Sequence, residues 1–156
     1  MHISKKLSTV ISMILTVVLV GALIFLTYWL PDVVNSMINT VDNLGDRTAM
    51  TASQRLFVLI DAYVMVAVAY VAVALLFFLL REVLREQVFS RSAVRLLSAI
   101  SWCCFFEGVL FLLLVVWFQL AFGIAVAAFF LGLCLRVVKN VIEEATRIKD
   151  ENDLTI

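Results

Sequence analysis

LFVLIDAYVMVAVAYVAVALLFFLL, residues 56–80, holds a single charged residue, Asp61. About 20 consecutive apolar residues cross the hydrocarbon core of a bilayer as a helix, so this run reads as a membrane span. The alternation VAVAYVAVA at 66–74 imitates a strand. A lone strand in lipid leaves its backbone groups unpaired and a barrel needs many strands, so a helix is expected. Three further runs flank it. Leu7–Leu30 closes on Trp29-Leu30-Pro31, and Leu96–Phe118 is interrupted by Glu107, with Ser98 and Ser101 as mild polar breaks. Leu120–Leu135 is short by itself; it is expected to borrow the Phe118-Gln119 turn and run straight into a following helix. Lys5-Lys6 ahead of the first run imitates a signal peptide. The apolar stretch after it exceeds the 7–15 residues of a signal core and no A-x-A-like site follows, so an uncleaved first span is expected.

Composition agrees. The chain has 156 residues, 64% hydrophobic and 15% charged, with a mean hydropathy of +1.10. Soluble domains are about 45–50% apolar and about 25% charged, and a small one has too little interior to hide the excess. A disordered chain, a disulfide scaffold and a direct nucleic-acid binder are poor fits. The expected fold class is all-α: an integral membrane four-helix bundle with an outer amphipathic helix and a cytosolic C-terminal helical extension. It forms one membrane domain, 1–156, with an outer loop at 31–55, a cytosolic loop at 81–95 and a tail at 136–156.

Twelve Lys and Arg balance twelve Asp and Glu, so charge informs only through position. Lys5, Lys6, Arg81, Arg85, Arg91, Arg95, Arg136, Lys139, Arg147 and Lys149 fall on one side of the four spans, against Arg47 and Arg55 on the other. The positive-inside rule then puts both termini in the cytoplasm.

The connections carry patterns of their own. In 31–44 the residues Val33, Val34, Met37, Ile38, Val41 and Leu44 recur at helical spacing. Pro31 suits a first turn and Gly45 an end. This predicts an outer amphipathic helix that lies on lipid or caps the bundle. In 81–95, Arg81 to Glu86 continues the second helix, and Ser90 can cap a new one with Phe89 and Val94 as a hydrophobic staple. Arg91 and Arg95 oppose the macrodipole there. With Arg81 and Arg85, their benefit is assigned to lipid headgroups and topology. The tail starts as an amphipathic helix with Val138, Val141, Ile142, Ala145 and Ile148 on one face and a Glu143–Arg147 pair on another.

Chemistry-bearing residues are few. His2 is the only histidine, so no histidine pair serves a metal or a triad, and no cofactor fingerprint occurs. Cys103, Cys104 and Cys134 lie within spans and read as apolar filling. Asp61 and Glu107 are the two acids inside spans, with no basic residue in any span to neutralise them. A charged acid there costs at least ~2.5–3.5 kcal/mol, so Glu107 is expected to be a neutral carboxylic acid near neutral pH. Counted at about 1.5 Å per residue, Asp61 lies roughly 9 Å below Arg55 and Glu107 near the midplane, an offset of roughly 6 Å. That argues against a protease-like aspartyl dyad. Two readings stand: a proton or cation site, or carboxyls hydrogen-bonded to Tyr63, Tyr70, Ser98 or Ser101 that help helices pair. Ala121, Ala125, Ala128 and Gly132 form a small-residue stripe that admits a close neighbour, within the chain or in a homo-oligomer.

Two places resemble a known family, the small bacterial four-span proteins called domain of unknown function 2975. One is Val88-Phe89-Ser90 leading to Val94-Arg95-Leu96. The other is the terminus Ile148-Lys149-Asp150-Glu151-Asn152-Asp153-Leu154-Thr155-Ile156, whose acidic stretch ends in Asp-Leu-Thr-Ile as the family's commonly does. The resemblance implies a bacterial inner-membrane protein with no catalytic residues to carry over. It also implies a functional link to a small helix-turn-helix regulator, since family members are often encoded beside one. The leading reading is a non-enzymatic protein that meets the lipid bilayer and a cytosolic partner through the 81–95 loop and the tail residues Asp150, Glu151, Asn152, Asp153, Leu154, Thr155 and Ile156. The alternative is a small proton- or cation-coupled transporter or channel subunit using Glu107 and Asp61. A third reading is an immunity protein against a membrane-active peptide.

Overall fold

The computed structural model describes residues 2–43, 50–85 and 90–153. They form four helices: α1 (His2–Asn43), α2 (Ala52–Leu84), α3 (Arg91–Leu114) and α4 (Leu120–Asp153). Each contains a stretch long and apolar enough to cross a membrane, and large apolar side chains such as Val17, Phe25, Phe130 and Leu131 face outward. This is the surface expected where lipid, not water, is the solvent.

The helices pack in chain order, α1 on α2, α2 on α3 and α3 on α4. The main core lies at the end where α1 leads into α2 and α3 turns into α4. Leu30, Val34 and Ile38 of α1 meet Val58 and Val66 of α2 there, with Met50, Leu114 and Ala121 completing the cluster. The α3–α4 turn is tight: the Phe118 and Trp117 N–H groups both donate to the Leu114 carbonyl, at 2.8 and 3.0 Å. That places the Trp117 ring 5.7 Å from the Phe57 ring of α2.

Two boundaries differ from the sequence-based expectation. The 31–44 stretch is the end of α1 itself, with Pro31 inside the helix. Proline removes one backbone bond, which membrane helices tolerate because neighbours satisfy the freed groups. Burial of Val34 and Ile38 shows the stretch capping the bundle and not lying apart on lipid. α1 ends at Asn43, and Gly45 lies outside the described residues. Second, α3 stops at Leu114, four residues short of the apolar run, because Val115–Gln119 are spent on the turn. The fourth run behaves as expected: α4 runs unbroken to Asp153, so the helical extension is continuous with the span.

Local signals explain the helix starts. Gln54 Oε1 accepts from the Thr51 N–H at 2.9 Å ahead of α2. Ser90 Oγ accepts from the Ala93 N–H at 3.2 Å ahead of α3, which is the expected serine cap. Phe89 of the expected staple lies outside the described residues.

Candidate intramembrane carboxyl site

Asp61 lies on the face of α2 that also buries Val58 and Val66, and only 5% of it is exposed. Glu107 is half-buried on α3. The two acids lie on the adjoining helices α2 and α3, and helix boundaries set their relative depth. Asp61 is nine residues in from Ala52 and Glu107 seven residues before Leu114, giving depths of roughly 13 and 10 Å from the same end. The expected midplane position of Glu107 and the 6 Å offset from Asp61 both assumed a helix reaching Phe118. With the helix ending at Leu114, the acids come close to level.

Asp61 Oδ2 and Glu107 Oε1 are buried with no hydrogen-bond partner. Three of the four hydroxyls considered as partners are committed or turned elsewhere. Ser101 Oγ donates to the Gly132 carbonyl of α4 at 3.0 Å. The Tyr70 hydroxyl is 3.1 Å from Thr27 Oγ1, tying α2 to α1, and Tyr63 is exposed. A buried oxygen without a partner forfeits its hydration, at a cost of about 1–3 kcal/mol. Native structures hold few such groups. Two such oxygens, both acidic and both inside apolar helices, single out Asp61 and Glu107 as the candidate site.

The small-residue stripe has an intrachain use. Ala121 and Ala125 are buried, with Ala125 fully covered, and Gly132 is buried while Ala128 is half-buried. A Cβ on Gly132 would come within 3.2–3.3 Å of the Phe105 ring, and one on Gly108 within 3.0–3.1 Å of the Phe129 ring. The two rings are themselves 6.2 Å apart. Glycines on facing helices thus leave room for each other's aromatic partners. Cys103 and Cys104 are half-buried and Cys134 faces outward, all as free thiols. Among the described residues no group of three or more His, Cys, Asp or Glu is placed to hold a metal ion.

At the opposite end of α3 the structure adds what spacing alone did not show. Arg91 and Arg95 lie against α4 beside Glu143, Thr146 and Arg147, whereas Arg81 and Arg85 are exposed on the last turn and cap of α2. The expected Glu143–Arg147 pair gives way to others: Lys139 holds Glu143, and Arg147 reaches Glu144 at 2.6 Å and Glu151 at 3.8 Å. Arg136 stacks 4.9 Å above the Trp102 ring. A further tie went unanticipated, at the α1–α2 junction. Asp42 accepts from Arg55 at 2.6 Å and from the Met50 N–H at 3.1 Å. The tail is helical through Asp153, and Leu154, Thr155 and Ile156 lie outside the described residues.

Four long apolar helices define a multi-pass helical membrane protein. The family described as "Protein of unknown function (DUF2975)" matches residues 39–156, and the chain belongs to it. No curated protein matches the chain, and no solved structure does.

Proposed function

We propose that the chain is a non-enzymatic protein of the bacterial inner membrane that moves or senses protons or small cations through the Asp61–Glu107 pair. The supporting observation is the two unpartnered carboxyl oxygens, Asp61 Oδ2 and Glu107 Oε1, on the adjoining helices α2 and α3. An acid inside a span is costly and is a functional site by default. Here the alternative use, gluing helices through hydrogen bonds, has no bond to point to at these two atoms. The ten-to-two split of basic residues supports an orientation with both termini cytoplasmic.

The test is flux. Full-length protein in lipid vesicles, with an imposed pH or Na⁺/K⁺ gradient, is expected to dissipate the gradient faster than empty vesicles. Glu107→Gln and Asp61→Asn, close in shape, are expected to abolish the excess. Vesicles that leak no faster with the protein than without it would refute the reading.

A second reading, contact with a cytosolic partner, has its own observation. α4 turns Ile142, Ala145 and Thr146 inward, so Val137, Val141 and Ile148 are left exposed along one side of the tail helix. Deleting residues 150–156 tests the expected address at its end. A truncated protein that inserts, stays stable and keeps every cytosolic contact would remove those residues from the reading.

A further inference from the structure

We propose that the ion handled at Asp61 and Glu107 is the proton and not a metal cation such as Na⁺ or K⁺. This rests on the function proposed for the two acids and narrows it to one substrate. What decides between the ions is the surroundings of each unpartnered oxygen.

A metal cation leaves water only where protein oxygens replace its hydration shell. Hard cations take carboxylate and carbonyl oxygens, whereas thiols and thioethers suit soft metals. Asp61 is 5% exposed, and its neighbours one turn away on α2 are Phe57, Val58, Val64 and Met65. The core on that face is apolar: Leu30, Val34 and Ile38 come from α1 and Leu114 from α3. The polar residues of α1 at this end, Asp32, Asn35, Ser36 and Asn39, are exposed. Glu107 has Cys103, Cys104, Leu110 and Phe111 one turn away. The cysteines are free thiols, poor ligands for Na⁺ or K⁺. α4 carries no charged residue between Leu120 and Leu135 and turns Ala125 and Gly132 inward.

Hydroxyls and carbonyls add no ligand. Ser101 donates to the Gly132 carbonyl, Tyr70 is tied to Thr27, and Tyr63 is exposed. Ser98 lies nine residues from Glu107, roughly 13 Å along α3. α2 and α3 run unbroken through Asp61 and Glu107, so the main-chain carbonyls there are spent on helix bonds. Membrane cation sites recruit such carbonyls by unwinding a helix. α2 contains neither proline nor glycine to unwind it.

A proton asks for less. A single lone pair on Asp61 Oδ2 or Glu107 Oε1 takes it, an O–H bond forms, and the carboxylate charge is cancelled with no further ligand. Charge is the main cost of an acid inside a span, and the proton removes that charge at the acid itself. A bound Na⁺ leaves an ion pair among apolar side chains, whose desolvation its own attraction does not readily repay.

The test uses full-length protein in lipid vesicles with Na⁺ and K⁺ replaced on both sides by N-methylglucamine. An imposed pH gradient is expected to collapse as fast as it does in Na⁺ or K⁺ medium, and Asp61→Asn or Glu107→Gln to abolish the protein-dependent part. A Na⁺ or K⁺ gradient at equal pH is expected to move no labelled Na⁺ or Rb⁺ beyond empty vesicles. Infrared spectra of the protein in detergent give a readout of binding alone, with helicity read from the same spectra. The carboxyl bands lost in Asp61→Asn and Glu107→Gln should respond to pH and stay unchanged when Na⁺ or K⁺ is added at constant pH. Labelled-ion movement that either variant abolishes, or carboxyl bands shifted by Na⁺ or K⁺, overturns the proton assignment and leaves the wider reading of the acids standing. Movement of neither ion removes both.

Discussion

Replacing Glu107 with methionine separates a working carboxyl from a structural one by the sign of the stability change. Glu107 Oε1 is buried without a partner, so its removal breaks no bond at that atom and ends a desolvation cost of about 1–3 kcal/mol. Methionine is unbranched and similar in length, and it adapts to irregular gaps. Glu107 is half-buried, so the packing penalty stays below the ~1.5 kcal/mol typical of volume-conserving swaps in full cores. Glu107→Met should therefore be neutral to stabilising, by up to about 3 kcal/mol, or roughly a hundredfold in the unfolding equilibrium. Gradient dissipation should be lost at the same time. The assay is reversible unfolding in mixed micelles, monitored by the contact between Phe57 and Trp117 through tryptophan fluorescence, beside the vesicle experiment on the same preparation. A functional site that costs stability is the usual trade. A destabilisation of 1 kcal/mol or more would refute the reasoning, because it would mean that the carboxyl holds α2 to α3.

Gly132→Val should destabilise by about 1–3 kcal/mol in the same micelle assay, since even a Cβ there meets the Phe105 ring at 3.2–3.3 Å; unchanged stability would contradict the packing. Asp42→Ala should cost about 1–2 kcal/mol, more than Arg55→Gln. Both lose a partly exposed ion pair worth under ~1 kcal/mol, but only the first also strands the Met50 N–H. Cysteines introduced singly at Ile3, Asp46, Val88 and Asp153, with Cys103, Cys104 and Cys134 changed to alanine, should react with a membrane-impermeant thiol reagent in intact cells at position 46 alone. Labelling at 153 would reverse the proposed orientation.

The spans were readable because the bilayer imposes a length and an apolarity that four runs meet, and because a serine before a helical pattern caps it by chemistry local to Ser90 and Ala93. The ends were less readable. Val115–Phe118 is apolar enough to prolong α3, and only packing against Phe57 and the core at Leu114 makes it a turn. That shift of four residues decided the site, since it changes Glu107 from a midplane acid offset from Asp61 into its near-level neighbour. Asp61 and Glu107 were visible singly as acids in lipid; their proximity depends on which helices touch, which no spacing within one span encodes. The grouping of arginines between α3 and α4 was hidden for the same reason. Arg91 and Arg95 are near each other in sequence, but Arg147 joins them only through the register between α3 and α4. A salt pair inferred from i,i+4 spacing, Glu143 with Arg147, was undone by competition from Lys139 and Glu144, each also one helical turn away.

The two seams of α3 differ in a way that bears on where movement would occur. Toward α4 the seam holds a buried interhelical hydrogen bond, glycines packed under rings, and an arginine stacked on Trp102. Each fixes distance and register, and interiors packed this closely resist sliding. Toward α2 the seam holds the two carboxyls with unpartnered oxygens. Neither acid takes part in the hydrogen bond, glycine packing or ring stacking that join α3 to α4. On the proposed function, a proton or cation taken up at Asp61 or Glu107 therefore acts on the α2–α3 seam, which those ties do not fix.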